Sequence, residues 1–236
     1  MTATLDTRTT ATWDQYRGRL EEYFDRTALD AWAQLTSDAP VSKIRATVRA
    51  GRDQMRATLL SWLPADLTGL RILDAGCGTG ALAVEAARRG AHVVAIDVSA
   101  SLVNIARERM PTDLSGTIDW RAGDMMDPTL GDFDHVVAMD SLIHYRTDDI
   151  VGVLAALFAR TRGSIIFTVT PRTPALMLML TMGKIFPRAD RAPAIAPADL
   201  EALARRLAAI SDVSVGRTRR VQGGFYTSQA MELLRC

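Results

Sequence analysis

The chain has 236 residues, 48% of them hydrophobic and 23% charged, a globular balance that excludes a disordered or collagen-like polypeptide. Lys and Arg total 28 against 27 Asp and Glu, so the formal charge of +1 offers no basis for holding nucleic acid through its phosphates. The two cysteines, Cys77 and Cys236, are too few for a disulfide framework, and the expected setting is a reducing cytoplasm.

Residues 1–12 are threonine-rich and lack the basic start and apolar run of a secretory signal, so they read as a flexible tail. Residues 13–65 read as a helical cap laid outside the main domain. Trp13, Tyr16, Leu20, Tyr23 and Phe24 recur at helical spacing and give one strongly aromatic face, which must be covered by the main domain or by a flat apolar ligand beneath a lid. In the next helical stretch Arg45, Arg49, Arg52 and Arg56 share one stripe, offset from Val41, Ile44, Val48, Met55 and Leu59. A solvated basic face is the ordinary reading of that stripe; an acidic partner, anionic lipid or ligand carboxylates are the alternatives.

From Arg71 onward strands and helices alternate: RILDAGCG, a helix, AHVVAID, a second helix, TIDWRAGD, FDHVVAMD, a helix near Asp148 to Ala159, and SIIFTVT. Strands joined by crossover helices imply a mostly parallel sheet covered on both faces, over residues 66–236. An apolar, proline-bearing insert at 171–197 precedes another helix and two strand-like runs, whose Gln222-Gly223-Gly224 link predicts an antiparallel C-terminal hairpin. The longest apolar run, Ala175 to Met182, is far short of the roughly 20 residues that span a bilayer.

The first strand turns into its helix through Asp74-Ala75-Gly76-Cys77-Gly78-Thr79-Gly80. Alternate glycines there let the backbone approach a ligand without side-chain collision. Asp97, followed by Val98, closes the next strand, where doubly wound folds set a carboxylate against ribose hydroxyls. The glycine spacing is GxGxG rather than the GxGxxG of dinucleotide folds, which favours S-adenosylmethionine over NAD. After the third strand, Asp124 and Met125 offer a carboxylate for an adenine amino group and an apolar cover for the ring.

In these features the chain resembles the class I S-adenosylmethionine-dependent methyltransferases. That resemblance implies an α/β Rossmann-like fold with a seven-stranded sheet. It assigns Asp74, Gly76, Cys77, Gly78 and Gly80 to the methionine end of the cofactor, Asp97 and Val98 to the ribose, and Asp124 and Met125 to the adenine. Asp140, after the fourth strand, falls where such enzymes place groups beside the sulfonium. The segment Asp140-Ser141-Leu142-Ile143-His144-Tyr145 is not the clamp of nucleobase N-methylating enzymes and suits an oxygen or carbon nucleophile better.

YFDRTALDAW at Tyr23 to Trp32, LLSWL at Leu59 to Leu63 and DSLIHY at Asp140 to Tyr145 extend the likeness, and the chain resembles the magnesium-protoporphyrin IX O-methyltransferases of chlorophyll and bacteriochlorophyll synthesis. The resemblance implies methylation of the C13 propionate of Mg-protoporphyrin IX, with S-adenosylhomocysteine as product. The magnesium belongs to the substrate, and no protein-bound metal is expected. It also implies peripheral membrane association and work beside the large subunit of the magnesium chelatase. Tyr23 and His144 become the catalytic candidates. Tyr16, Phe24, Ile143, Tyr145, Met177 and Leu180 become the porphyrin-contacting set, with Lys184 and Arg188 of the insert as cations for the spare propionate. Two alternatives stay open: O-methylation of a phenol or quinone precursor, which needs His144 as a true base, and a non-catalytic scaffold that binds S-adenosylmethionine or porphyrin.

Overall fold

The computed structural model describes residues 7–27, 36, 42–174, 176–177 and 195–236. The strands β1 (Arg71–Ala75), β2 (His92–Asp97), β3 (Thr117–Ala122), β4 (Phe133–Ala138), β5 (Thr161–Val169), β6 (Val213–Gly223) and β7 (Tyr226–Arg235) form one seven-stranded sheet in the order β3-β2-β1-β4-β5-β7-β6. The pairings β1–β2, β1–β4, β2–β3 and β4–β5 are parallel, and β7 runs antiparallel to both its neighbours. The hairpin turn is Gly224-Phe225 rather than the expected Gln222-Gly223-Gly224, because Gln222 and Gly223 still pair with Thr227 and Tyr226.

Both faces of the sheet are apolar, as a parallel sheet covered on both sides requires. Leu73, Ile96, Val136, Ile165 and Phe167 point to one core, against α1 (Thr7–Glu22), α5 (Thr147–Ala159) and α6 (Leu200–Ala208). Their neighbours Ile72, Ala95, Val137 and Ile166 point to the other, against α2 (Lys43–Trp62), α3 (Ala81–Arg88) and α4 (Ala100–Glu108). The segment expected to form a single cap is therefore divided between the two faces. Met55 and Leu59 of α2 are fully buried, each contributing ~1.5–3 kcal/mol of burial, so α2 is part of the core and not a cover laid upon it.

α1 begins at Thr7, so the expected tail over 1–12 is shorter than predicted. Its aromatic face is covered by the main domain: Trp13 and Leu20 are buried, and the Trp13 ring stacks on Tyr145 with centroids 4.2 Å apart. Polar bonds fix the same helix, since Trp13 Nε1 donates to Asp124 Oδ2 (3.1 Å) and Thr12 Oγ1 donates to Asp149 (2.5 Å). A π-helical turn, Tyr23–Thr27, follows directly.

At the far edge, α2 lies along β6 and β7. A Cβ on Gly51 would fall 2.5 Å from the Tyr226 ring, so glycine is what lets the helix seat there. Arg217 of β6 pairs with the buried Glu232 and lies over the Trp62 ring at 5.3 Å, which gives one of the strand's arginines a structural task. His92 bonds to Thr117 and His135 to Ser164, both within the sheet.

Candidate active site

The strand order reverses between β1 and β4, and a doubly wound sheet opens a crevice beyond its carboxyl edge at that place. A cavity of about 280 Å³ lies there, lined by the ends of β1, β2 and β4 together with residues of α1 to α4. Its floor is the β1–α3 turn. Gly76, Gly78 and Gly80 all have positive φ, at 81°, 53° and 81°, which the L residues would adopt only with strain. The turn is held down by Gly76 N–H and Cys77 N–H, which both donate to Ile96 O at 2.8 and 3.0 Å. A Cβ at Gly78 would meet nothing within 4 Å and would project into open space. At Gly80, the residue preceding α3, a Cβ would instead lie 2.2 Å from the Trp120 ring, so this glycine serves packing and is not on the cavity wall.

Asp97 closes β2, and its carboxylate is tied to both neighbouring turns: Oδ2 accepts from Gly78 N–H at 2.8 Å and Oδ1 from Ser99 N–H at 3.0 Å. Burial raises its pKa above the ordinary carboxyl range despite those donors. Asp74 is buried as well, and desolvation pushes its pKa up to about 7. Its Oδ2 and the Oγ of Ser141 are buried polar atoms without a hydrogen-bond partner, and both residues line the cavity. Two such groups beside a glycine cradle with an uncovered Gly78 suit a small ligand carrying donors, as the methionine end of S-adenosylmethionine does. Cys77 is on the wall, but burial holds its thiol well above the usual pKa, so it is not a thiolate nucleophile.

Asp140 sits beyond β4 in left-handed backbone, φ 54°. Its carboxylate accepts from Arg52 Nη1 (2.7 Å), Tyr226 Oη (3.1 Å), Thr168 Oγ1 (3.2 Å) and Ser228 Oγ (3.4 Å). The basic stripe of α2 is therefore not simply a solvated face. Arg49, Arg52 and Arg56 line the cavity, Arg56 paired with Asp53 at 2.8 Å, while Arg45 is exposed. Sequence periodicity showed that these arginines share a stripe; the Asp140 network and the Gly51–Tyr226 contact decide that the stripe meets the cavity.

Val98, Met125, Phe24, His144 and Tyr145 lie on the wall as well. The Phe24 ring meets His144 edge-on at 6.3 Å and Tyr23 at 5.2 Å. Tyr23 is half-buried just behind Phe24 and is not itself on the wall. Asp124, expected beside adenine, turns its carboxylate to Trp13, to Arg17 (3.7 Å) and to Met126 N–H, away from the cavity. Tyr16 packs edge-on to Tyr145 at 6.1 Å, and neither Tyr16 nor Ile143 reaches the wall, because the core under α1 takes one and a loop position the other. Met177 is in the helical start of the insert, off the wall; Leu180, Lys184 and Arg188 lie outside the described residues.

A doubly wound sheet with a reversed seventh strand, a GxGxG floor and a carboxylate closing β2 define a class I S-adenosylmethionine-dependent methyltransferase. Comparison with known proteins narrows this. Residues 72–163 match the family model described as methyltransferase domain, and residues 138–235 match the model described as magnesium-protoporphyrin IX methyltransferase C-terminus. The chain is 53% identical over 92% of its length to the magnesium-protoporphyrin O-methyltransferase of Rhodobacter capsulatus, covering 96% of that protein. It is 29% identical over 92% of its length to the enzyme of that name from a Synechocystis strain, covering 95% of it. Its backbone superposes on a crystal structure of the Synechocystis PCC 6803 magnesium protoporphyrin IX methyltransferase with bound S-adenosylhomocysteine, at TM-score 0.83 and 26% identity over 93% of this chain and all of that one. The chain belongs to the magnesium-protoporphyrin O-methyltransferase family.

Proposed function

We propose that the protein transfers the methyl group of S-adenosylmethionine to the C13 propionate carboxylate of Mg-protoporphyrin IX, giving the monomethyl ester. The observation that carries this reading is the joining, in one cavity, of the glycine floor and Asp97 to the arginine stripe of α2 and to Phe24 and His144. When bound, S-adenosylmethionine supplies an electrophilic methyl group on a sulfonium.

Asp97 and the Gly76–Gly78 backbone are the groups suited to hold the cofactor, and the buried Asp74 and Ser141 oxygens to meet its polar end. A propionate has a pKa of roughly 4–5 and is ionised at neutral pH, so the acceptor needs orientation and charge balance more than proton removal. The guanidinium groups on the wall supply positive charge for it; Arg52 is locked in direction by Asp140. His144, braced edge-on by Phe24, positions the carboxylate, and Tyr23, packed against Phe24 and off the wall, is the second candidate, whose hydroxyl reaches the same end only if the turn shifts. Burial of Leu20, Phe24 and Met125 beside these charges keeps water from competing for the methyl group.

Delivery of the porphyrin by the large subunit of a magnesium chelatase and attachment to the surface of a photosynthetic membrane belong to the same reading and rest on family membership. Among the described residues no helix is long and apolar enough to cross a membrane. Incubation with S-adenosylmethionine and either Mg-protoporphyrin IX or metal-free protoporphyrin, read by mass spectrometry, tests the assignment. Monomethyl ester from the magnesium form is expected. No ester, with S-adenosylmethionine still bound, would keep the class and redirect the search to phenolic acceptors.

A further inference from the structure

One side chain of the π-helical turn that carries Tyr23 and Phe24 ties it to the start of α4. Asp25 Oδ1 accepts from Ser99 Oγ at 2.5 Å and from Ser101 N–H at 3.2 Å, joining positions 74 and 76 residues apart in the chain. Ser99 is fully buried and caps α4, its Oγ accepting from Leu102 N–H at 3.1 Å while donating to Asp25. Its own N–H donates to Asp97 Oδ1, and Asp97 Oδ2 accepts from Gly78 N–H. An unbroken hydrogen-bonded chain thus runs from the turn behind Phe24, through Asp25, Ser99 and Asp97, to the glycine floor. A π-helical turn is rare and recurs at functional sites. Here it rotates the residues after Glu22 so that Asp25 meets the α4 cap while Phe24 faces His144.

Asp25 also approaches Asp97 closely enough that its charge helps raise the Asp97 pKa, so the turn and the end of β2 meet in one site.

From this geometry we infer that Asp25 is a positioning residue, coupling occupancy of the site at Asp97 to the placement of the Tyr23–Phe24 turn over the acceptor side of the cavity. The inference rests on the reading of Asp97 and the glycine floor as the cofactor site; it does not depend on the porphyrin. Asp25 touches neither floor nor wall and acts through Ser99. Asp25→Ala removes both acceptor bonds. Asp25→Asn keeps an oxygen for them and removes the charge, so it is the conservative rescue.

The test has two readouts. The first is trypsin cleavage after Arg26 in the full chain, with and without S-adenosylhomocysteine. At saturating ligand the wild type is expected to be cleaved at least ~5-fold more slowly than without it, Asp25→Asn to retain most of that protection, and Asp25→Ala to lose it, with its affinity for S-adenosylhomocysteine, by calorimetry, weakened by about the same factor as the protection lost, because the coupling is reciprocal. The second is turnover: Asp25→Ala lowers kcat ~10-fold or more at saturating S-adenosylmethionine, and Asp25→Asn recovers most of it. Equal protection in wild type and Asp25→Ala at saturating ligand, or a fall in affinity far larger than the protection lost, overturns the inference. If Asp25→Ala fails to fold, Ser99→Thr, which keeps an Oγ, is expected to preserve protection and Ser99→Ala to abolish it; equal protection in those two variants overturns the inference as well. If S-adenosylhomocysteine does not bind the wild type, the cofactor reading itself fails, an outcome distinct from loss of coupling.

Discussion

The floor of the cavity is the β1–α3 turn braced by the β2–α4 turn, whereas α1, the π turn and α2 reach the wall from opposite faces of the sheet and meet there the segment that follows β4. The floor is backbone: Gly76, Gly78 and the peptide groups bonded to Ile96 and Asp97. The other wall is side chain, fixed by bonds between distant positions such as Arg52 to Asp140 and Asp25 to Ser99. A wall of backbone tolerates no added atom, since its shape is set by φ and by contact distance. A wall of side chains weakens one bond at a time, so it responds to substitution in degrees.

The largest contrast is expected at Gly76, where φ is 81° and a Cβ would fall 2.2 Å from Ser141 Cβ. Gly76→Ala combines left-handed strain of ~1–2 kcal/mol with overpacking of ~1–3 kcal/mol. Urea unfolding is expected to show a loss of ~2–5 kcal/mol, and calorimetry a loss of S-adenosylhomocysteine binding. An unchanged unfolding midpoint would mean that the turn relaxes and is not a rigid floor.

On the side-chain wall the expected change is smaller. Arg52→Met strips Asp140 of its charged donor but leaves Tyr226, Ser228 and Thr168, and loss of a hydrogen bond to a charged group is worth ~1.5–3 kcal/mol. Tyr226→Phe, which leaves the ion pair in place and removes one hydrogen bond to the same carboxylate, should fall at the low end of that range, ~1.5 kcal/mol, and because both act on one carboxylate the double variant should not be additive. Additive losses in denaturant titrations would show that Arg52 and Tyr226 do not share Asp140.

Asp74 distinguishes the floor by pH. Its folded pKa, about 7, is above the unfolded value of 3.8, so between those values the folded state binds more protons than the unfolded chain. This group therefore makes the ligand-free protein less stable as pH rises from about 4 through about 7. Asp74→Asn should remove that part of the slope in unfolding free energy against pH. A wild-type slope that persists unchanged in the variant would assign it to other groups. The smallest effect is expected far from both walls: Arg88→Gln breaks an exposed pair with Glu85 and should shift stability by less than ~0.5 kcal/mol in the same titration.

The floor was legible because everything that makes it lies within a few residues of sequence. A strand, alternate glycines and an acid closing the next strand specify one local geometry. The arginine stripe was legible only as a stripe, because helical period says which residues share a face and not what that face meets. Asp124 shows the converse error: an acid at a strand end looked available to a ligand, but α1 brings Trp13 and Arg17 to it from the start of the chain. Asp25 stood only as one letter of the YFDRTALDAW motif, with no role attached to it. The nearest signal was Ser99, a residue suited to cap a helix and placed two positions after Asp97, whose hydroxyl could be expected to bond something.

The alternation of strands and helices, the reversed final strand, the glycine floor and the family are each written in residues close together or in identity along the whole chain. Long-range packing divides the N-terminal helices between the two faces, brings Arg49, Arg52 and Arg56 to the cavity and carries Asp25 to the cap of α4. Those outcomes depend on packing of surfaces that no local pattern encodes: Met55 and Leu59 bury α2 in one core, Trp13 and Leu20 bury α1 in the other, and the polar residues beside them are carried to partners far away in the chain.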